Sequence, residues 1–307
     1  MVLKNPYVIG IDLGGTKVEA CLLDSNREVL SRRRTASEPA LGLERVIANI
    51  HQVVRQAADG EIFAAVGIGT PGTYLSSEDA LYGSPHTPVY ETPGFMSRLR
   101  AEFGVPLVVE NDANCLAVAE YFSTCAGKYR YVLAVILGTG FGSGLILDGK
   151  VYRGALGGAG EIGHCTVNFE GRLCECGRRG CAEAYLSGQS HSRRFAELSG
   201  EDLPLAQIYE RLLAGDSQAV RLLEESCRIM GEVFANAVNA FDLEAIILGG
   251  GVSNLPIWYE RVPFYLEKSL FGPPRAKIPV LQATLGDSAG VIGAAYLALR
   301  EIGQMDF

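Results

Sequence analysis

Two stretches of the chain each set a side-chain-poor turn between strand-like runs, with too few residues between the runs to admit a helix. Tyr7 to Asp12 is an apolar run ending in a carboxylate, the turn Gly14-Gly15-Thr16-Lys17 follows, and Val18 to Leu23 resumes a strand pattern. In the second half, Tyr131 to Leu137 leads into Gly138-Thr139-Gly140-Phe141-Gly142-Ser143-Gly144, and Gly144 to Leu147 is again strand-like. A strand that returns this soon pairs antiparallel, which excludes a βαβ dinucleotide unit at either place. Backbone amides in such a turn can approach phosphate oxygens closely, and Asp12 can orient metal-bound water. Either turn alone reads equally well as a plain connection. Two at corresponding places, however, could grip a triphosphate from both sides. Gly-Lys-Ser/Thr does not occur at Walker spacing.

The remaining pattern is α/β. Glu28 to Arg34 extends a meander, and Leu43, Val46, Ile47, Ile50, Val53 and Val54 recur at helical spacing before a strand over Ile62 to Ile68. Val105 to Glu110 reads as a strand and Ala113 to Phe122 as a helix. After an irregular stretch from Gly154 to Cys181, helical patterns run from Ala206 to Ala240. A buried-type strand covers Ala245 to Leu248, and a last helix covers Ala289 to Glu301. At 307 residues the chain is long enough for two cores. The expected domains are 1–120, joined by the C-terminal helix 289–307, and 121–288, carrying a metal-binding segment at 164–181. A net charge of −8 opposes binding to nucleic-acid backbones and anionic membranes. With no signal core, Arg-rich presequence or membrane-length apolar run, the expected location is the cytoplasm.

Three further motifs carry chemistry. Gly249-Gly250-Gly251 follows the strand at Ala245 and precedes a helix beginning near Asn254, so a flat purine could lie on bare backbone there. A strand-to-helix turn is the plainer alternative. Asn111-Asp112 stands between a strand and a helix. Asp112 can be a helix N-cap, or it can be a carboxylate that the positive helix end keeps ionised and ready to accept a hydroxyl proton. His164, Cys174, Cys176 and Cys181 offer one imidazole and three thiolates, which satisfy tetrahedral Zn²⁺ in a closed, structural set. Cys165 adjoins the histidine and competes for that assignment. Cys21, Cys115, Cys125 and Cys227 lie in apolar runs and read as small buried hydrophobes.

In their order and spacing these elements resemble the ROK family (repressors, open reading frames and kinases). Gly67-Ile68-Gly69-Thr70-Pro71-Gly72, Gly160-Glu161-Ile162-Gly163-His164, Cys174 to Glu183 and Gly286-Asp287-Ser288-Ala289-Gly290 add to the match, which covers nearly the whole chain. The resemblance implies an actin-like, RNase H-like fold of the hexokinase superfamily with an inserted zinc knuckle, and a cleft between two lobes. Mg-ATP would be held by Asp12, Gly14, Gly15, Thr16, Lys17, Gly138, Thr139, Gly140, Gly249, Gly250 and Gly251. Asp112 would be the general base, and Gly72, Thr73, Asn111, Glu161, His164 and Glu183 would line the sugar site. The zinc-bound imidazole of His164 would also touch the sugar. ATP and a small sugar are the implied partners, and a homodimer or homotetramer the implied assembly.

Sugar-sensing repressors of this family carry a DNA-reading segment of several dozen residues ahead of the first turn. Only eleven residues precede Asp12 here, so a kinase is expected. An acetate-kinase-like or actin-like ATPase would leave the cysteines unexplained. Asn111 to Val118 and the Gly286 segment look like those of fructokinases that also accept mannose and glucose. The expected substrate is therefore a free hexose (fructose, glucose or mannose) phosphorylated at C6, with N-acetylglucosamine or N-acetylmannosamine as the alternative. Tyr82-Gly83-Ser84-Pro85-His86-Thr87 departs from the Asn-containing segment of many relatives.

Overall fold

The structure is a computed structural model that describes residues 6–84, 87–125, 127–272 and 277–305. Pro85 and His86, and the last two positions of the expected 289–307 helix, lie outside the described residues. The chain divides into two compact units. One holds the chain up to Glu120, Val151–Ala159 and the segment from Asp287 on; the other holds Tyr121–Lys150 and Gly160–Gly286.

In the first unit the order is β1 (Tyr7–Leu13), β2 (Lys17–Leu23), β3 (Val29–Ala36), α1 (Leu43–Ala58), β4 (Phe63–Thr70), β5 (Thr73–Leu75), β6 (Ala80–Tyr82), α2 (Phe95–Phe103), β7 (Leu107–Asn111) and α3 (Asp112–Glu120). The main sheet is ordered β3-β2-β1-β4-β7. The first three strands form an antiparallel meander, while β4 and β7 run parallel to β1. β1 is buried along almost its whole length, which a central strand covered on both faces requires. The apolar face of α1, with Val46, Ile50 and Val53, closes one side of the core over Ile9, Ile11 and Val66.

The second unit repeats this plan. It contains β8 (Val132–Leu137), β9 (Phe141–Leu147), β10 (Lys150–Val151, whose last residue already falls in the first unit), α4 (Glu183–Leu186), α5 (Gly188–Ser199), α6 (Leu205–Leu213), α7 (Ser217–Phe241), β11 (Ala245–Gly249), α8 (Pro256–Ser269) and β12 (Val280–Gln282). Its sheet is ordered β10-β9-β8-β11-β12, with β8 and β9 antiparallel and β8, β11 and β12 parallel. Leu133, Val135, Ile246 and Leu248 of the sheet pack with Phe234 and Trp258 from the helices.

Two boundaries differ from the sequence expectation for local reasons. The helical pattern from Ala206 to Ala240 is two helices, because Gly215 takes a positive φ of 84° and Asp216 accepts from the amides of Gln218 and Ala219 to start α7. The glycine run after Gly138 is a turn only through Gly140, since Phe141 already pairs in β9 opposite Leu137. The segment Val151–Ala159, expected within 121–288, packs with the first unit, where Arg153 forms an ion pair with Glu110.

The last helix, α9 (Ala289–Glu301), returns to the first unit and packs on β1, β4 and α3 at backbone distance. A Cβ on Gly67 would sit 1.8 Å from the Ala294 carbonyl oxygen, and one on Gly293 would sit 1.8 Å from that of Cys115. Neither partner is a flexible side chain, so the helix could move only as a body. Gly67→Ala is therefore expected to cost about 3 kcal/mol or more. Urea unfolding followed by circular dichroism should show a clearly lower midpoint, and an unchanged midpoint would refute the backbone contact.

Candidate functional site

In the first unit the expected site residues gather at the carboxyl ends of the parallel strands, where open α/β sheets bind ligands. The register sets Asp12 of β1 beside Gly69 of β4, and Thr70 of β4 beside Asn111 of β7. After β1 the chain reverses tightly: the Gly14 amide donates to the Lys17 carbonyl at 2.9 Å, and the Tyr90 hydroxyl donates to the Gly14 carbonyl at 2.9 Å. Gly15 and Lys17 are half-buried in this turn and Thr16 is exposed at its tip. The Asp12 carboxylate lies against the start of α9, where a Cβ on Gly290 would come within 3.2 Å of its Oδ2. Burial raises the Asp12 pKa, Lys17 lowers it, and the negative charges of Glu19 and Asp287 add to the rise.

Asn111 settles which residue caps α3. Its Oδ1 accepts from the amides of Ala113 at 2.9 Å and Asn114 at 3.3 Å, the two that an N-cap side chain satisfies. Its Nδ2 donates to the Gly72 carbonyl at 3.0 Å, which ties the turn after β4, and with it Thr73 at the start of β5, to the end of β7. Asp112 is thus the first residue of α3 rather than its cap, with Oδ1 accepting from the Ala113 amide at 2.8 Å. Ser84 is buried, its hydroxyl donating to the Pro71 carbonyl at 2.8 Å and its amide to Glu91 Oε1 at 2.7 Å.

Glu110 belongs to this arrangement although no motif marks it. It is buried on β7; its Oε1 accepts from the Asn111 amide at 2.9 Å and from Asn114 Nδ2 at 3.0 Å, while its other oxygen pairs with Arg153. The only sequence signal is a charged residue at the end of an otherwise apolar strand.

In the second unit, Gly138–Gly140 forms the turn between β8 and β9, closed by the Gly138 amide donating to the Gly140 carbonyl at 3.0 Å, with Thr139 exposed at the tip. The end of β11 lies alongside, Gly249 pairing with Ile136. Gly250 has a φ of 83°, and Gly251–Asn254 forms a 3₁₀ turn before α8.

Glu161, Ile162, Gly163 and His164 form a short 3₁₀ segment and its start. The protein mass around the Glu161 carboxyl raises its pKa, with His164 lowering it and Glu183 raising it, although the residue keeps contact with solvent. Glu183 begins α4; its Oε2 accepts from the Phe141 amide at 2.9 Å and its Oε1 lies 3.5 Å from Cys174 Sγ. One carboxylate thus links the second glycine turn to the cysteine cluster.

The four expected ligands come together. The ligand atoms of His164, Cys174, Cys176 and Cys181 lie within 4.8 Å of one another. Cys174 Sγ is 3.7 Å from His164 Nδ1, and the sulfurs of Cys176 and Cys181 are 3.6 Å apart. These are the ligand separations of a tetrahedral site with metal–sulfur bonds of about 2.3 Å. Exposed Cys165 stands outside the group, which removes the ambiguity in the sequence. Burial pushes the Cys174 thiol up to about 12, while at Cys176 the Arg178 hydrogen bonds outweigh burial and lower it to about 6. Three thiolates brought this close repel one another, and a bound cation would offset that repulsion.

Residues 8–301 match the family model described as ROK family. The N-acetyl-D-glucosamine kinase of Mannheimia succiniciproducens is 35% identical over 308 residues, covering 95% of this chain and 99% of that protein. The N-acetyl-D-glucosamine kinase of Haemophilus influenzae is 34% identical with the same shares. The solved structure of the ROK hexokinase from Thermus thermophilus has a TM-score of 0.88 at 32% identity, covering 97% of this chain and 100% of its own.

These likenesses overturn the expectation that free fructose, glucose or mannose is the substrate and favour the N-acetylhexosamine alternative. The physical reason is that the residue types expected to line the sugar site, carboxylates, an amide and an imidazole, pair with hydroxyls of any sugar. The motifs therefore do not read the substituent at C2.

Asp12 yields a test whose sign is fixed. A carboxyl whose folded pKa lies above its unfolded value stabilises the fold at low pH and loses that contribution as pH rises through the folded pKa. Asp12→Asn should therefore raise Tm at pH 8, with a gain that shrinks toward pH 4, while turnover falls. A lower Tm at pH 8 would refute the burial argument.

Proposed function

The chain belongs to the ROK family and is a sugar phosphotransferase, and from that premise we propose that it transfers the γ-phosphate of ATP to the C6 hydroxyl of N-acetyl-D-glucosamine. The full-length likeness to two N-acetyl-D-glucosamine kinases supports the choice of sugar. The observation that carries the mechanism is the capping of α3 by Asn111, which relieves Asp112 of that duty and leaves its carboxylate in the first helical turn. The helix dipole favours negative charge there, and the carboxylate takes the proton of the attacking primary hydroxyl. The groups available to pair the remaining polar groups of the sugar are Gly72, Thr73 and Asn111 in the first unit and Glu161, His164 and Glu183 in the second. An unpaired buried group costs about 1–3 kcal/mol, so sugars lacking a partner are rejected.

For the nucleotide the first unit offers the turn at Gly14 with Thr16 and Lys17, and the second unit offers the turns at Gly138–Gly140 and Gly249–Gly251 with Thr139, each through backbone amides and side-chain donors. Mg²⁺ carried with ATP would neutralise charge on the phosphates, and Asp12 would be the carboxylate that orients its bound water. Zn²⁺ is the ion best suited to three thiolates and one imidazole. Held by His164, Cys174, Cys176 and Cys181, it would fix the imidazole for sugar recognition and take no part in proton transfer. Eight free cysteines and ATP as a substrate favour a reducing, cytoplasmic setting.

Product analysis by phosphorus and carbon NMR should find N-acetylglucosamine 6-phosphate, formed with a higher kcat/KM than the 6-phosphates of glucose, mannose or fructose. Asp112→Asn should lower kcat by ~10²–10⁴ while sugar binding persists. Phosphate at C1, or an Asp112→Asn enzyme keeping more than half its kcat, would overturn the assignment.

Elemental analysis of purified protein should find one zinc per chain, and Cys176→Ser should lower both zinc content and Tm because metal binding contributes directly to folding. Active protein without zinc would refute the metal assignment.

A further inference from the structure

The second unit contains a buried imidazole that none of the assigned roles uses. His191 on α5 has no solvent exposure. Its Nδ1 lies 2.9 Å from the Ser187 carbonyl oxygen, an acceptor only, so the proton sits on Nδ1 and the ring is the neutral donor tautomer. Its Nε2 has no hydrogen-bond partner. Burial lowers its pKa to about 3, so the ring stays neutral wherever the protein is folded and active. A phenylalanine would fill similar space without burying a bare nitrogen, so the histidine contributes through its Nδ1 bond and its ring contact.

Both contacts lead to a glycine turn. Ser187, which receives the Nδ1 bond, caps α5, its hydroxyl accepting from the Ser190 amide at 3.2 Å. The next residue, Gly188, donates its amide to the Gly138 carbonyl at 2.8 Å. A Cβ on Gly188 would meet that oxygen at 3.0 Å and Val252 Cγ2 at 3.4 Å. On its other side the His191 ring packs on Trp258, with centroids 5.7 Å apart and planes at 47°. Trp258 Nε1 donates to the Val252 carbonyl at 2.7 Å, one residue past Gly251. The two turns also meet directly, since a Cβ on Gly250 would lie 2.4 Å from the Leu137 carbonyl oxygen.

We propose that His191 and Trp258 are positioning residues that lock the Gly138–Gly140 turn and the Gly249–Gly251 turn into one rigid platform, and thereby set affinity for the nucleotide rather than for the sugar. The inference rests on the reading that these turns bind ATP. Binding to loose turns must order them first, and a buried bracket removes that cost before the nucleotide arrives.

Kinetics of the full-length, metal-loaded enzyme test it, with ATP and N-acetylglucosamine varied in turn. His191→Phe, which keeps the ring stacking and loses the Nδ1 donor, should raise KM for ATP about fivefold and leave KM for the sugar within about twofold. His191→Asn, whose Nδ2 can replace the Nδ1 donor, should recover most of that loss. Thr139→Ala, on the turn itself, separates the two claims. If it raises KM for ATP and His191→Phe does not, positioning is overturned and the nucleotide reading stands. If it leaves KM for ATP unchanged, the nucleotide reading falls and the inference with it. Equal rises in both KM values for His191→Phe would also overturn it.

A measurement on the unaltered protein guards against misfolded variants. Trp258 is the only tryptophan, so its fluorescence reports directly on the bracket. A non-hydrolysable ATP analogue added without sugar should change the emission saturably; emission unaffected at concentrations that saturate turnover would overturn the proposal.

Discussion

The first unit depends on one tight constraint, the approach of α9 to β1, β4 and α3 at backbone distance. Gly10, Gly67 and Gly293 leave no space at the contact for even a methyl group. This packing brings the start of α9 against the Asp12 carboxylate and presses the helix on α3, whose first residue is Asp112. A helix held by side chains alone could shift by fractions of an ångström as its neighbours changed rotamer. One seated on backbone cannot, and interiors of such density transmit displacement rather than absorb it. The two carboxylates most important to the proposed chemistry are therefore placed by the least adjustable contact in the unit.

The second unit uses hydrogen bonds where the first uses contact. Glu183 reaches from the cysteine cluster to the Phe141 amide. Gly188 reaches from α5 to the Gly138 carbonyl, and Trp258 from α8 to the turn after Gly251. The Gly138 and Val252 carbonyls satisfied this way lie on irregular backbone and the Phe141 amide at the very start of β9, where a buried amide or carbonyl would otherwise be unpaired. The turns are irregular by necessity, because a regular strand or helix turns its amides onto itself and away from a ligand.

The features legible in the sequence were those fixed by local chain geometry. A turn of three or four residues between apolar runs can only be a hairpin, so β1–β2 and β8–β9 could be placed. The spacing of Cys174, Cys176 and Cys181 restricts the chain enough to bring their sulfurs together. Harder to read were the features that depend on distant partners. The short hairpin β5–β6 and the helices α2 and α5 have mixed patterns that their neighbours stabilise. Gly142 and Gly144 look like turn residues but lie in β9, and beside Gly144 another backbone comes close: a Cβ on Gly160 would stand 2.9 Å from the Ser143 carbonyl oxygen and 3.5 Å from Gly144 Cα. The sequence offers Asp112 as the cap of α3, and only the bonds of the Asn111 side chain show that Asn111 takes that place. The sugar itself was misread because carboxylates, amides and an imidazole pair with hydroxyls of any hexose, so motifs built from them carry no signal for the group at C2.

The return of α9 to the first unit also orders events during synthesis. Residues up to Glu120 leave the ribosome first, yet the surface of β1 and β4 that α9 covers stays bare until the segment from Asp287 on has been made. The second unit is complete in sequence by Gly286. The part of the protein translated first is thus the last able to finish folding. Until residues 289–301 are available, the first unit would present an apolar, glycine-lined sheet face to chaperones.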